Sequence, residues 1–347
     1  MKKLVIISTD FQSGHGGMQS ALSGYVDGLN KLGVEYVFIE SHNESDTFSL
    51  KWASAFVKII GLLFKHKPSE LVFWFHCGPW LSFLRKFSLS LVPRLTGAKV
   101  IAHLHSYSLK RYLDHSISAL FIKLFLLPFN EIVVLNHWWK NFLISKNITK
   151  NITISHNPVT GELVEQAGRA DTVHTEFQED IRIISMGRLM PGKGFESLIE
   201  AMTLLPTNYT LIIAGDGVLK KHLEENINKF NLNDRVSLTG WITGKDKDDL
   251  LKKSSMFCLP SSNDAFGMIY IEAMAYGLPV VALDFPPVRS LISSTVGVLC
   301  EDSTPASIKS AIEKVSIDLG QYCGGPKAVI ENFSPEKSAQ NIVNYLK

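Results

Sequence analysis

The chain has 347 residues, 46% of them apolar and 20% charged, with a formal net charge of +2. This length exceeds one ordinary core and predicts two domains, and the composition excludes a disordered or low-complexity scaffold. Four cysteines, Cys77, Cys258, Cys300 and Cys323, are far apart and form no CxxC pair. That argues against a zinc or redox site and predicts buried apolar thiols in a reducing cytosol.

The first element is MKKLVIIST, whose apolar run stops at Asp10 with no small-residue cleavage site after it, so it reads as a strand and not as a signal peptide. Gly16 and Gly17 follow, ahead of the helical pattern MQSALSGYVDGLNKLG. Their loop, SGHGGM, lacks the third glycine of a dinucleotide fingerprint: counted from Gly14 the pattern needs glycine at 19 and meets Gln19, which leaves an oxidoreductase a weak alternative. The short β-branched runs EYVFIE, ELVFWF, KVIAHLH, EIVVL and NITIS come next, separated by helical segments. KVIAHLH ends at His105-Ser106, at the carboxyl end of a strand, where ligands bind in open α/β sheets. Strand alternation places His103 and His105 on one face, so a packed core histidine is open at either position. Asn157, in SHNPV, is either a turn-forming residue or a site residue. A polar stretch at about 157–179, with Pro158, Gly161 and Gly168, then reads as a linker.

The second half repeats the rhythm with IRIISMG, YTLIIAG, RVSLTG, MFCLP and PVVAL. These near-continuous apolar runs suit parallel strands covered on both faces by helices, which gives an α/β fold of two doubly wound Rossmann-like domains. The expected division is 1–160, a linker over 161–180, and 181–333, with 334–347 a terminal helix packing back on the first domain. After IRIISM, Gly187 to Gly194 (GRLMPGKG) put Arg188 and Lys193 on one strand-to-helix loop, with glycines that let a diphosphate approach the backbone; a turn with solvated charges is the competing reading. It is not a Walker loop, since neither Ser nor Thr follows the lysine. After MFCLP, a helix starting near Gly267 sets Asp264 in the loop and Glu272 a turn inside. Both carboxylates and the amides of Gly267, Met268 and Ile269 then line one wall, suited to sugar or ribose hydroxyls. An N-cap aspartate and a surface glutamate are the alternative.

GRLMPGKG, AGDG at 214–217 and SSNDAFGMIYIEAMAYGLPVVA, in this order, resemble the family 4 glycosyltransferases, whose GT-B fold sets two Rossmann-like domains across a cleft. The resemblance is close in the C-terminal half and reaches the N-terminal half through Gly16-Gly17. It implies a retaining glycosyltransferase using a nucleoside-diphosphate-sugar donor. By resemblance Arg188 and Lys193 bind the diphosphate, Glu272 the ribose, and Gly267, Met268 and Ile269 the sugar and phosphates. Asp264 grips the transferred sugar where the family usually has glutamate. His105 stands near the sugar C6 hydroxyl and the reacting centre, with His103 the competing candidate. Gly16 and Gly17 approach the donor phosphate, and Asn157 matches a loop near the interdomain cleft. No Asp-x-Asp motif suited to a divalent metal lies in a plausible strand-end loop, so no metal or cofactor is expected. An inactive GT-B partner protein and a sugar-nucleotide epimerase or phosphorylase are the alternatives. Nucleic-acid binding is not expected, because the basic residues are scattered and no recognition module is visible.

Charge is divided unevenly: residues 1–165 carry 17 Lys and Arg against 11 Asp and Glu, and the remainder 18 against 22. The basic half also contains the apolar segments 56–67, 81–94 and 117–129, the last interrupted by Lys123 and Pro128 and far short of the roughly 20 residues that span a bilayer. Lys58, Lys65, Lys67, Arg85, Lys86 and Arg94 would meet anionic headgroups while Trp80 and its apolar neighbours enter the interface. This predicts a cytoplasmic protein, peripheral on the inner face of the plasma membrane. The family resemblance adds a lipid-linked glycan acceptor in lipopolysaccharide, O-antigen or capsule synthesis. Buried helices with snorkelling lysines are the competing reading.

Overall fold

The computed structural model describes residues 2–9, 16–42, 50–170 and 179–347. They form two compact units, Met1–Gly161 with Phe333–Lys347, and Glu162–Asn332. In the first, the strands β1 (Lys3–Ser8), β2 (Tyr36–Glu40), β3 (Leu71–Cys77), β4 (Lys99–Leu104), β5 (Glu131–Val134) and β6 (Asn151–Ile154) make one parallel sheet in the order β2-β1-β3-β4-β5-β6. Every residue of β3 is buried, as a strand covered on both faces requires. On one face Leu4, Ile6, Trp74 and Ile101 meet Leu22, Tyr25 and Leu29 of the helix Gly17–Lys31, and Ala339, Ile342 and Val343 of the terminal helix Pro335–Val343. Each such side chain contributes about 1.5–3 kcal/mol on burial. The two helices approach so closely at Gly28 that a Cβ there would lie 2.2 Å from the Pro335 carbonyl oxygen. The last helix therefore belongs to the first unit, although the whole second unit precedes it in sequence.

The second unit is a parallel sheet of β7 (Ile181–Met186), β8 (Tyr209–Ala214), β9 (Val236–Gly240), β10 (Met256–Leu259), β11 (Val280–Leu283) and β12 (Gly297–Cys300), in the order β12-β11-β10-β7-β8-β9. Strand β12 went unread in the sequence, because four residues opening on glycine carry too little periodicity; Gly297 is needed where a Cβ would lie 1.8 Å from the Val280 carbonyl oxygen. The stretch expected as a linker opens with a helix, Gly161–Arg169. In both sheets the order reverses beside the first strand, at β1/β3 and at β7/β10, and a doubly wound sheet opens its ligand crevice at such a point.

Two expectations are corrected. Cys77, Cys258 and Cys300 are buried, but Cys323 is exposed. Arg85 and Lys86 cannot face headgroups: they lie on the inward side of the helix Trp80–Leu95 and are 8% and 0% exposed. The other four basic residues of that set, Lys58, Lys65, Lys67 and Arg94, are exposed. Among the described residues no helix is long and apolar enough to cross a membrane.

Candidate functional site

In the second unit the loops after β7 and β10 are joined at the reversal point. The Ser262 amide donates to the Gly192 carbonyl at 2.9 Å, and Gly194, at φ +79°, passes so close to the other loop that a Cβ would lie 2.4 Å from the Pro260 carbonyl oxygen. Only glycine satisfies both the left-handed backbone and this approach. The contact brings Lys193 Nζ to Asp264 Oδ1 at 2.7 Å, with the two side chains 12% and 15% exposed. Asp264 Oδ2 is buried and accepts no hydrogen bond from the described residues, so one carboxylate oxygen is committed to the lysine and the other is open to a hydroxyl. Arg188 stands exposed on the same loop.

Gly267, at φ +94°, precedes the helix Met268–Ala275 and turns its first amides, including those of Met268 and Ile269, toward the loop end. Glu272 lies one turn inside this helix and is paired with Lys247 of the helix Gly244–Lys252. Lys247 gave no sequence signal, since it sits in the polar run GKDKDD where any lysine reads as solvated.

In the first unit the sheet ends in a cluster of bases. His76 of β3 is in register with His103 of β4, and His105 follows on the same face, its amide bonded to the Cys77 carbonyl at 3.0 Å. The His76 Nδ1 and His105 Nε2 atoms are 2.9 Å apart and hydrogen-bonded. The His103 and His105 ring centroids are 4.1 Å apart. Lys86 Nζ donates to Ser82 Oγ at 2.8 Å and lies 3.4 Å from His42 Nδ1. Among the described residues no carboxylate pairs with Lys86. Burial pushes Lys86 down to about 7 and, with the nearby Lys86 charge, pushes His42 and His105 down to about 3. His76 and His103 fall well below the ordinary histidine range for the same first reason, and burial raises the Cys77 thiol to about 12. All four imidazoles are therefore neutral at pH 7, able to donate and accept hydrogen bonds. Ring nitrogens of His76, His103 and His105 lie within 4.8 Å of one another, a spacing open to a transition metal. The His76–His105 hydrogen bond engages part of that donor set and Lys86 adds a positive charge beside it, and both oppose a cation.

Of the remaining expected residues, Gly16 caps the helix Gly17–Lys31 in extended backbone, and Gly14 and His15 of the same loop lie outside the described residues. Asn157 is 3% exposed, and its buried Oδ1 has no hydrogen-bond partner among the described residues. The structure thus brings Lys193 to Asp264, places Glu272 on the helix that begins at Met268, and sets His105, Gly16, Gly17 and Asn157 in the other unit. Sequence reasoning missed His76, although ELVFWFH ends on it, close to the same kind of strand end that singled out His105. It misplaced Lys86, which reads as a surface cation on an amphipathic helix.

Residues 169–322 match the family model described as Glycosyl transferases group 1. This segment belongs to that family. A group 1 glycosyl transferase domain thus occupies the unit that holds Lys193, Asp264 and Glu272. An uncharacterized glycosyltransferase of Methanocaldococcus jannaschii is 32% identical over 172 residues, covering 48% of this chain and 44% of that protein. The N-acetylgalactosamine-N,N'-diacetylbacillosaminyl-diphospho-undecaprenol 4-alpha-N-acetylgalactosaminyltransferase of Campylobacter jejuni is 33% identical over 212 residues, 58% of this chain and 57% of that protein. The chain thus spans about half the length of these glycosyltransferases. Sucrose-phosphate synthase from Thermosynechococcus elongatus superimposes with a TM-score of 0.77 at 16% identity, over 99% of this chain and 98% of that one. The fold is accordingly GT-B, two Rossmann-like domains of six parallel strands each.

Proposed function

We propose that this chain is a retaining, metal-independent glycosyltransferase that moves a sugar from a nucleoside-diphosphate donor to a lipid-linked glycan of envelope polysaccharide synthesis. The observation that carries the reading is the Lys193–Asp264 pair on two joined loops at the β7/β10 reversal, inside the segment that matches the family. A departing diphosphate needs positive charge and amides fixed before the reaction. Arg188, Lys193 and the amides of Gly267, Met268 and Ile269 are assigned to it, Glu272 to the ribose and Asp264 Oδ2 to a hydroxyl of the transferred sugar. His105, Gly16, Gly17 and Asn157 take the roles at the reacting sugar and donor phosphate that the family resemblance implies. The acceptor class is supported by the Campylobacter relative, whose name specifies a diphospho-undecaprenol-linked glycan.

Incubation with labelled UDP, GDP and dTDP sugars and a lipid-linked oligosaccharide tests the reading. The expected product is a glycoside of retained anomeric configuration, formed equally in excess EDTA. Activity abolished by EDTA and restored by magnesium or manganese would refute metal independence. Turnover to an altered free sugar would indicate an epimerase, and no turnover with any donor an inactive partner protein.

The N-terminal unit is assigned the membrane contact. Leu81 on the helix Trp80–Leu95 and Ile117, Leu120, Phe121 and Leu124 on the adjacent helix Ser116–Leu126 are exposed, between 45% and 77%, and Lys58, Lys65, Lys67 and Arg94 are among the exposed basic residues of the unit available to headgroups. Each such contact adds about 1 kcal/mol near an anionic surface and weakens with salt. The protein is expected to sediment with anionic vesicles at low salt, and L120E/F121E to sediment several-fold less. Equal sedimentation of both proteins, or of wild type with neutral and anionic vesicles, would remove this surface as the anchor.

A further inference from the structure

We propose that Lys247 is a positioning residue for the donor nucleotide: its ammonium holds the Glu272 carboxylate in the orientation that takes up the ribose hydroxyls, a role that rests on the assignment of Glu272 to the ribose. Lys247 lies near the start of the helix Gly244–Lys252, which follows the edge strand β9 and crosses back past β8 and β7 to β10. There its Nζ donates to Glu272 Oε2, and the two side chains are 29% and 12% exposed. The next residue, Asp248, accepts a hydrogen bond from the hydroxyl of Tyr276, one turn beyond Glu272. Two consecutive residues of one helix therefore hold two residues four apart on one face of the other. The lysine donates and the aspartate accepts, so exchanging the two contacts would set like charges and acceptors against each other.

A glutamate standing free in a cleft populates many rotamers and gives them up when it binds a ligand. The ion pair removes most of that freedom before a nucleotide arrives. It does not exhaust the carboxylate. Of about four acceptor positions Lys247 takes one on Oε2, which leaves Oε1 and the remaining lone pair of Oε2 for two vicinal hydroxyls. The lysine also offsets the charge of a carboxylate that is largely withdrawn from water. Without it the carboxylate turns toward solvent, and its oxygens leave the positions that two neighbouring hydroxyls require. The loss falls on those hydroxyls. The diphosphate is assigned to Arg188, Lys193 and the amides of Gly267, Met268 and Ile269, so a nucleotide lacking both hydroxyls should not register the change.

Calorimetric binding of UDP and GDP and of their 2′,3′-dideoxy analogues to the full chain, in wild type, K247M, K247R and Y276F, tests this role. Wild type is expected to bind the better of UDP and GDP about 10²-fold more tightly than its dideoxy form, the scale of two hydrogen bonds to a charged acceptor. In K247M that preference is expected to fall below about fivefold, with affinity for the dideoxy nucleotide within about twofold of wild type. K247R keeps a cation on Glu272 and should recover the preference to within about fivefold. Y276F breaks the other contact between the two helices and should keep the preference within about twofold, which separates orientation of Glu272 from docking of the helix. With a donor sugar, K247M should raise KM by the factor lost in affinity and leave kcat within about twofold, as expected for lost uniform binding. Thermal melting identifies any variant that has lost its fold, and K247R and Y276F then carry the comparison. A wild-type preference that survives in K247M overturns the proposal for Lys247 alone. So does a K247M that binds the ribonucleotide more tightly than wild type, which would make the lysine a competitor of the ribose, or one that loses both nucleotides equally. A wild type that binds no nucleotide, or binds both forms alike, overturns the ribose assignment of Glu272 and this role with it.

Discussion

Lys193→Ala is expected to lower glycosyl transfer by about 10²- to 10³-fold, or roughly 3 to 4 kcal/mol of transition-state stabilisation. The lysine is 12% exposed, held by a loop whose glycines fit the facing loop, and it already lies on Asp264 at 2.7 Å. In the proposed reaction its ammonium is therefore preorganised and loses little freedom when the diphosphate takes on charge. Truncation also leaves the Asp264 carboxylate without its partner, which costs about 1 to 3 kcal/mol of local stability. The two effects are separable. The double variant K193A/D264N removes the uncompensated charge, so it should regain the melting temperature lost by Lys193→Ala and regain none of the rate. A rate within tenfold of wild type for Lys193→Ala in a folded protein would take the diphosphate away from this loop.

The candidate site of the C-terminal unit was legible because its residues sit on loops with strict backbone demands. Gly194 and Gly267 occupy left-handed conformations directly before helices, and such positions leave glycines in the sequence beside the lysine and the carboxylates. Its fold was legible because parallel strands buried on both faces must be apolar throughout; β12 escaped because four residues are too few to show it. The N-terminal unit is different. Its sheet was readable from LVFWF and KVIAHL, but its polar cluster is assembled by register between β3 and β4 and by the rotation of the helix Trp80–Leu95. His76 and His103 are 27 positions apart in the chain and become neighbours only when the strands pair. Lys86 is buried because the outer face of its helix is formed by Leu81, Leu84 and Leu91, an inversion of the usual amphipathic order that hydropathy alone misreads. Lys247 meets Glu272 across two helices, a contact that nothing in GKDKDD encodes locally.

The same inversion predicts an N-terminal unit that is unusually sensitive to acid. His42, His76, His103 and His105 are held neutral in the folded chain, all below their ordinary value of 6.5. Among the described residues the groups facing them are Lys86, Arg85, Cys77 and Tyr25, none of which supplies a negative charge at neutral pH or below. The unfolded chain therefore binds protons that the folded chain refuses. The stability these histidines contribute is complete above about pH 6.5 and declines as pH falls below it, for His42 and His105 until about pH 3. Each contributes a slope of about 1.4 kcal/mol per pH unit once its unfolded form is mostly protonated, so four give about 5 kcal/mol per unit near pH 5. Against a typical stability of about 5 to 15 kcal/mol, unfolding is expected between about pH 3.5 and 5.5. Lys86 acts in the opposite range. Below about pH 7 it is protonated in both states and adds no slope, whereas between about 7 and 10.5 only the unfolded chain is protonated, so stability should rise toward alkaline pH. Melting temperatures of wild type, His103→Phe and Lys86→Met from pH 4 to 9.5 check both branches. His103→Phe should reduce proton uptake on acid unfolding from about four to about three, and Lys86→Met should abolish the alkaline rise while keeping the acid branch. A wild-type melting temperature that stays level from pH 7 to 5 would mean that these imidazoles reach protons or anions in the folded state, and that the cluster is open rather than sealed.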